Sequence, residues 1–146
     1  MRWLLDTNVI SELRKPSCQP SVRAWAETQA PETLHLSRIT IAEIRFGLDR
    51  VADPAFRDVL SNWLDDTLRP WFGDRILEVD EDVILEWRHM VERGRAENYT
   101  FSQPDLFIAA TAAVHRLTVV TRNVADFVRA EVPVFDPWPG KAKAGE

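Results

Sequence analysis

Residues 3–10 read WLLDTNVI, and this stretch decides the fold of the chain. Its apolar run stops at Asp6, and the polar residues that follow are of types that favour the start of a helix. Val9 and Leu13 then recur at helical spacing until Pro16 ends the segment. The stretch therefore predicts a buried strand that leads directly into a helix.

The same alternation of short apolar runs and helical periods continues along the chain. Further strands are predicted at Leu34–Leu36, Ile76–Val79, Leu117–Thr121 and Val132–Phe135. Further helices are predicted at Pro20–Gln29, Thr40–Leu48, Pro54–Trp71, Val83–Gly94 and Pro104–His115. Strands that alternate with helices favour right-handed crossovers and a mainly parallel sheet with helices on both faces. We expect one α/β domain over residues 1–137 and a flexible tail over residues 138–146.

Composition excludes several classes of protein. The chain has 146 residues, a length that is sufficient for one domain with a hydrophobic core. Its hydrophobic content of 45% is too high for an intrinsically disordered chain. Its single cysteine, Cys18, excludes an internal disulfide framework and a zinc site built from cysteines. Asp6 comes too early for the apolar core of a signal peptide, and no apolar run approaches the roughly 18 residues of a membrane span. We therefore expect a cytoplasmic protein without a membrane partner.

The charge balance is acidic. Eighteen Lys and Arg stand against 23 Asp and Glu, which gives a formal net charge of −5. A chain of this charge is not expected to coat nucleic acid non-specifically, because that mode of binding needs a basic surface. Fifteen of the 18 basic residues are nevertheless Arg, whose planar guanidinium suits phosphate recognition. Composition alone leaves open whether the acids form a metal site.

Four acids follow predicted strands, at the end of a parallel sheet where chemistry collects. Asp6 directly follows the first strand, and Glu43 lies in the first turn of the helix after the second. Asp105 opens the alanine-rich helix, and Asp126 follows the strand that ends at Thr121. If the sheet is wound as predicted, these four carboxylates point into one crevice.

Helix capping is the alternative interpretation of these acids. Glu43, Asp105 and Asp126 each lie three residues after a residue that can cap a helix. An acid at that position stabilises the helix end by about 0.3–1 kcal/mol. Asp6 is harder to explain as a cap alone, because a buried carboxylate needs hydrogen-bond donors or a cation. The four together favour a shared acidic site, in which a bound cation relieves their mutual repulsion.

The cation expected at such a site is Mg²⁺ or Mn²⁺. Oxygen ligands select these ions, and the three histidines are scattered rather than grouped as zinc or iron ligands. An ion of this kind can activate water and stabilise the leaving oxygen of a phosphodiester. Asn8, Thr121 and Asn123 are candidates for orienting the carboxylates or bound water.

Four segments carry a resemblance to a known family. They read LDTNVISEL at residues 5–13, TIAEIRFG at 40–47, PDLFIAA at 104–110 and TRNVADF at 121–127. In order and spacing they resemble the motifs of the PIN domain, and in particular of the VapC-like ribonuclease toxins of bacterial type II toxin–antitoxin modules, including the FitB-like branch. The similarity extends over nearly the whole chain, to about Pro137.

The resemblance implies a fold and a catalytic centre. The fold would be a PIN-like three-layer α/β/α sandwich with a mainly parallel central sheet. The activity would be endonucleolytic cleavage of RNA by metal-activated water. The residues that would form the Mg²⁺- or Mn²⁺-binding catalytic centre are Asp6, Glu43, Asp105 and Asp126, with Asn8, Thr121 and Asn123 in support. As a separate hypothesis, local arginines such as Arg14, Arg38, Arg45 or Arg122 hold the substrate, with a solvated helix face as the alternative for each of them.

The resemblance also implies partners. Members of the family usually form homodimers and hetero-oligomers with a small cognate antitoxin of the VapB or FitA type. Contact with operator DNA would be indirect, through the antitoxin. The apolar residues between Pro54 and Trp71 are more numerous than one narrow core-facing stripe of a helix needs. Part of this surface is therefore predicted to contact an antitoxin or a second protomer, with core packing as the alternative.

Two other functions compete with a nuclease. A phosphoacceptor receiver domain is also a small α/β unit with acids at its strand ends, but it needs a lysine near the site. The lysines here are Lys15, Lys141 and Lys143, and none follows a central strand. A catalytically silent PIN-like interaction domain is the other alternative, and the presence of all four acids argues against it.

Overall fold

Five strands form one parallel sheet in a computed structural model that describes residues 1–140. The strands are β1 Trp3–Leu5, β2 Leu34–Ser37, β3 Ile76–Leu77, β4 Thr118–Val120 and β5 Val134–Phe135. Their order across the sheet is β3-β2-β1-β4-β5. The helices are α1 Thr7–Arg14, α2 Pro20–Thr28, α3 Arg38–Leu48, α4 Pro54–Trp63, α5 Arg69–Phe72, α6 Glu81–Ala96, α7 Gln103–His115 and α8 Val124–Arg129.

Successive residues of a strand point to opposite faces of the sheet, so both faces carry apolar side chains. Helices cover both of these faces. Leu4 and Val119 pack into one half of the core, which α6, α7 and α8 cover. Leu5 and Val120 pack into the other half, which α1 to α5 cover. This arrangement confirms the predicted three-layer α/β/α sandwich with a parallel central sheet.

The first strand passes directly into the first helix, as the opening stretch predicts. Asp6 has extended backbone angles, and its side chain accepts a hydrogen bond from the backbone amide of Thr7 at the start of α1. At the end of β2, Ser37 does the same for α3 by accepting from the amide of Ile39 at 3.0 Å. A polar residue at the carboxyl end of β1 and of β2 therefore satisfies one of the first amides of the next helix.

The predicted helix over Pro54–Trp71 is interrupted. A π-helical segment, Leu64–Leu68, separates α4 from α5. Leu64 and Leu68 are buried, whereas Phe56 and Val59 on α4 are 43% and 60% exposed. Some apolar residues of this region therefore pack in the core, and others form an exposed face on α4.

The predicted tail begins with a buried residue. Trp138, the first residue of the predicted tail, is 8% exposed and lies in the half of the core that contains Leu5. Residues 141–146 lie outside the described residues, so the flexible tail remains a prediction for them. Within residues 1–140, no helix combines the length and the apolar character that a membrane crossing needs.

The strand order places a crevice at the centre of the sheet. The chain runs outward from β1 to β2 and β3, and it then returns to the other side of β1 with β4 and β5. The connections therefore diverge between β1 and β4, and in open parallel sheets ligands bind outside the carboxyl ends of the strands at such a point. Asp6 follows β1 and Thr121 follows β4, so both lie at this crevice.

A candidate acidic active site

Asp6 is the most buried carboxylate at the crevice, with 4% of its surface exposed. The hydroxyl of Thr121 donates to Asp6 Oδ2 at 2.8 Å, and the backbone amide of Thr7 donates to Oδ1 at 2.8 Å. The side-chain amide of Asn8 lies 3.4 Å from Oδ2 and 3.2 Å from the Thr121 hydroxyl oxygen. Asp6 thus has the hydrogen-bond donors that a buried carboxylate needs.

Glu43 is joined to Asp6 through Thr7. The Thr7 hydroxyl donates to Glu43 Oε1 at 2.8 Å, and its oxygen lies 3.3 Å from the hydroxyl oxygen of Thr40. Thr7 therefore binds Asp6 with its main chain and Glu43 with its side chain. The residue that caps α3 is Ser37 and not Thr40, so the capping interpretation of Glu43, which assumed a cap at Thr40, is wrong.

Asp105 is linked to the same network from the other side. The side-chain amide of Asn123 donates to Asp105 Oδ2 at 3.4 Å, and the backbone amide of Asn123 donates to the Thr121 hydroxyl at 2.9 Å. Asp105 lies in the first turn of α7. Asn8 and Thr121 therefore contact Asp6, and Asn123 contacts Asp105.

Asp126 lies in the first turn of α8 and has a partner that the sequence did not reveal. The phenol of Tyr99 donates to Asp126 Oδ1. This bond and burial raise the pKa of Tyr99 above its ordinary value, so the phenol keeps its proton. Tyr99 lies in the connection between α6 and α7, which has no apolar periodicity. The one feature that distinguished it in the sequence is that it is the single tyrosine of the chain.

The carboxylates also interact through their charges. Burial is the largest cause that raises the pKa of Asp105 to about 6, and the charges of Asp6, Asp126 and Glu43 raise it further. Burial likewise raises the pKa of Asp6; the Thr121 and Thr7 hydrogen bonds oppose this, and the charge of Glu43 adds to it. Asp105 therefore lies close enough to the other three acids to be affected by their charges.

The donor set fits a hard divalent cation. Within residues 1–140, none of the four carboxylates forms an ion pair with Lys or Arg, so their charge is not balanced by the protein. In the same residues, no group of three or more His, Cys, Asp or Glu side chains is arranged to hold a metal ion by itself. Mg²⁺ keeps several water ligands and needs only one or two carboxylates, so it suits an open acidic crevice of this kind.

Asp105→Asn is expected to stabilise the metal-free protein at neutral pH. Because the folded pKa of about 6 lies above the ordinary value of 3.8, the folded state binds this proton more tightly than the unfolded state. The resulting stability is fully present below pH 3.8 and is lost as the pH rises through about 6. Urea unfolding in EDTA at several pH values should show a flatter profile for Asp105→Asn, with a higher free energy of unfolding at pH 7.

Asp74→Asn is the matched control, because Asp74 is exposed and precedes β3 at the opposite end of the sheet. This variant should keep the wild-type profile. An unchanged slope between about pH 4 and 6 in Asp105→Asn would contradict the electrostatic coupling of the crevice.

Fold and site together define a class: parallel three-layer α/β/α proteins with an acidic crevice where the strand connections diverge. A family model of the PIN domain matches residues 3–132. The chain belongs to the PIN-domain family, which confirms the resemblance seen in the four motifs.

Similar proteins include one named as a toxin and one named as a ribonuclease. Toxin FitB of Neisseria gonorrhoeae is 38% identical over 135 residues, which cover 92% of this chain and 97% of that protein. VapC ribonuclease Y4jK of Sinorhizobium fredii is 36% identical over 135 residues, which cover 92% of this chain and 96% of that protein. A crystal structure of FitAcB from Neisseria gonorrhoeae superposes with a TM-score of 0.87 at 38% identity, over 93% of this chain and 98% of that chain. A structure of FitAB bound to an IR36 DNA fragment gives a TM-score of 0.87 at 36% identity, over 95% and 97% of the two chains.

Proposed function

We propose that this chain is the toxin of a type II toxin–antitoxin module and acts as an Mg²⁺- or Mn²⁺-dependent endoribonuclease. The observation that carries the proposal is the convergence of Asp6, Glu43 and Asp105 on a hydrogen-bonded network at the divergence of β1 and β4. Relatives of this length and similarity that bear the names toxin and ribonuclease support the same function. PIN-family membership also sets the receiver-domain alternative aside.

The residues of the chain divide the work of hydrolysis among them. Asp6, Glu43, Asp105 and Asp126 would hold the divalent ion, which would supply activated water and offset the charge that develops on the phosphodiester. Thr7 and Thr121 hold the Asp6 carboxylate in one orientation through its two oxygens. Thr7 also orients Glu43, and Asn123 orients Asp105. The acids thus occupy fixed positions before the substrate arrives, which lowers the cost of assembling the site.

Substrate contact is assigned to arginines beside the crevice. The Arg38 guanidinium forms a bidentate contact with Glu78, at 2.6 Å for the shortest pair, so it is less available than the sequence suggested. Arg122 lies 5.2 Å above the ring of Trp138, and Arg14 lies 5.9 Å above the ring of Phe56. Arg122 is exposed and Arg14 is half-buried, and a guanidinium held on an aromatic ring suits contact with the phosphates of an RNA strand.

The partners proposed are a cognate antitoxin of the VapB or FitA type and a second copy of this chain. The antitoxin is supported by the FitAB and VapBC complexes among the similar structures. Operator DNA is assigned to the antitoxin, because this chain has a formal net charge of −5 and a poor surface for duplex DNA. The exposed Phe56 and Val59 on α4 are the surface proposed for protein contact, and the cytoplasm is the proposed location.

Incubation of the purified chain with cellular RNA and Mg²⁺ tests the function. We expect discrete cuts, with ends that carry no 2′,3′-cyclic phosphate, because water rather than the substrate 2′-hydroxyl is the nucleophile. Sequencing of the new ends maps the cut sites, and addition of the cognate antitoxin should suppress the cuts. Intact RNA after prolonged incubation would favour the catalytically silent alternative.

A further inference from the structure

Tyr99 is anchored beside the acidic crevice by several independent contacts. Its backbone amide donates to the Gly94 carbonyl of α6 at 2.7 Å. Its ring contacts Phe101 edge to face at 4.7 Å between centroids. The guanidinium of Arg129 lies 4.1 Å above the ring, within the range of a cation–π contact. The contacts with Gly94 and Phe101 therefore hold the phenol independently of α8, the helix that carries both Asp126 and Arg129.

Gly94 makes this anchoring possible. A Cβ atom at position 94 would lie 2.8 Å from the Tyr99 carbonyl oxygen and 2.9 Å from a ring carbon of Phe101. The chain can approach α6 this closely only because residue 94 lacks a side chain. Asn98, the residue before Tyr99, takes a left-handed backbone angle, φ 58°. The close approach at Gly94 and this left-handed residue both fix the backbone that carries the phenol.

Each carboxylate of the crevice has a neutral side-chain donor. Asp6 is paired with Thr121, Glu43 with Thr7, and Asp105 with Asn123. Within residues 1–140, the phenol of Tyr99 is the side-chain donor to Asp126. A neutral donor orients a carboxylate without cancelling the charge that attracts a cation, whereas an Arg or Lys would cancel it.

We propose that Tyr99 is a positioning residue: its phenol occupies Asp126 Oδ1 and fixes the carboxylate so that Oδ2 is presented to the divalent ion. The inference rests on the proposed function, since it assigns Asp126 to that metal centre. The six-residue helix α8 gives Asp126 little rigidity of its own, so an external donor is needed to select one rotamer. The nearby Arg129 pairs with Glu97 at 3.8 Å and leaves the charge of Asp126 unbalanced.

Tyr99→Phe tests this role, because it removes the hydroxyl and keeps the ring that packs on Phe101 and Arg129. We expect the Mn²⁺ affinity of the RNA-free protein to fall about 10- to 100-fold, the range found when a partner of a metal ligand is removed. Titration of Mn²⁺ followed by electron paramagnetic resonance measures this affinity without any RNA. In cleavage assays at fixed Mn²⁺, kcat should fall while KM for RNA stays near the wild-type value.

Asp126→Asn provides the second background for a double-mutant cycle. If Tyr99 acts through Asp126, Tyr99→Phe should change Mn²⁺ affinity by less than about twofold in that background. Equal losses in both backgrounds, or a wild-type affinity in Tyr99→Phe, would overturn the inference, as would a wild-type protein that binds no Mn²⁺. A wild-type protein that binds Mn²⁺ but leaves RNA intact would instead overturn the ribonuclease proposal, and the titration would still decide the role of Tyr99.

Discussion

Asp6→Asn is expected to lower the rate of RNA cleavage by about 100-fold or more, the scale on which preorganised charges at a reacting centre contribute. The substitution keeps the volume of the side chain and removes the negative charge. The new amide can still accept from the Thr7 backbone amide, which now donates to Oδ1 at 2.8 Å. The helix start is therefore retained, and the loss of activity reports on the charge rather than on folding.

Initial rates on a fluorescent RNA substrate, compared at equal protein and Mg²⁺ concentrations, give this ratio. Asp80→Asn is the matched control, since Asp80 also follows a strand and also caps a helix, by accepting from the Val83 amide at 3.0 Å. It lies after the edge strand β3, away from the divergence of β1 and β4. Asp80→Asn should cleave at the wild-type rate, and wild-type cleavage by Asp6→Asn would falsify the assignment of Asp6.

Comparison of Asp6→Asn with Asp80→Asn also distinguishes helix capping from membership of the acidic site, which the sequence left as alternatives. Asp6 is a helix cap in the structure, and it is also the centre of the carboxylate network. Helix capping and a place in the carboxylate network are therefore compatible at this position. A carboxylate oxygen has more than one lone pair, so a single side chain can hold a helix amide and still face a cation.

Much of the site follows from the sequence because it depends on strand ends. An apolar run that stops at an acid fixes where Asp6 lies, and parallel strands bring their carboxyl ends to the same edge. Strand order and register need not be known for Asp6 and Thr121 to be placed at that edge. Their 2.8 Å hydrogen bond depends on β1 and β4 being neighbours, which only the structure shows.

Tyr99 lay beyond sequence reasoning for a physical reason. Its position depends on how α6 and α7 pack, on the absence of a side chain at Gly94 and on one left-handed residue, Asn98. None of these produces a periodic pattern along the chain. The π-helical interruption at Leu64–Leu68 was equally hidden, because its apolar residues keep the spacing of an ordinary helix.

Removal of divalent metal is expected to lower cleavage by about 100-fold or more, since it removes both the activated water and the charge that stabilises the leaving oxygen. Assays in EDTA measure this loss, and Mg²⁺ or Mn²⁺ added in excess of the chelator should restore the rate. RNA incubated with the same ions and no protein is the control for metal-induced breakage. Undiminished cleavage in EDTA would exclude a metal-dependent mechanism.

The same ion should stabilise the fold, and this readout does not depend on RNA. The crevice holds Asp6 and Asp105 with raised pKa values, because burial and mutual repulsion disfavour their charged forms. A bound cation reverses that penalty and, at 100 times its dissociation constant, adds about 2.7 kcal/mol to the free energy of unfolding. Urea unfolding with and without Mg²⁺ should therefore show a large shift for the wild type and for Asp80→Asn, and a much smaller one for Asp6→Asn. Asp6 belongs to the four carboxylates of the crevice, whereas Asp80 does not. Equal Mg²⁺-dependent shifts of the free energy of unfolding in the wild type and both variants would therefore place the ion elsewhere on the surface.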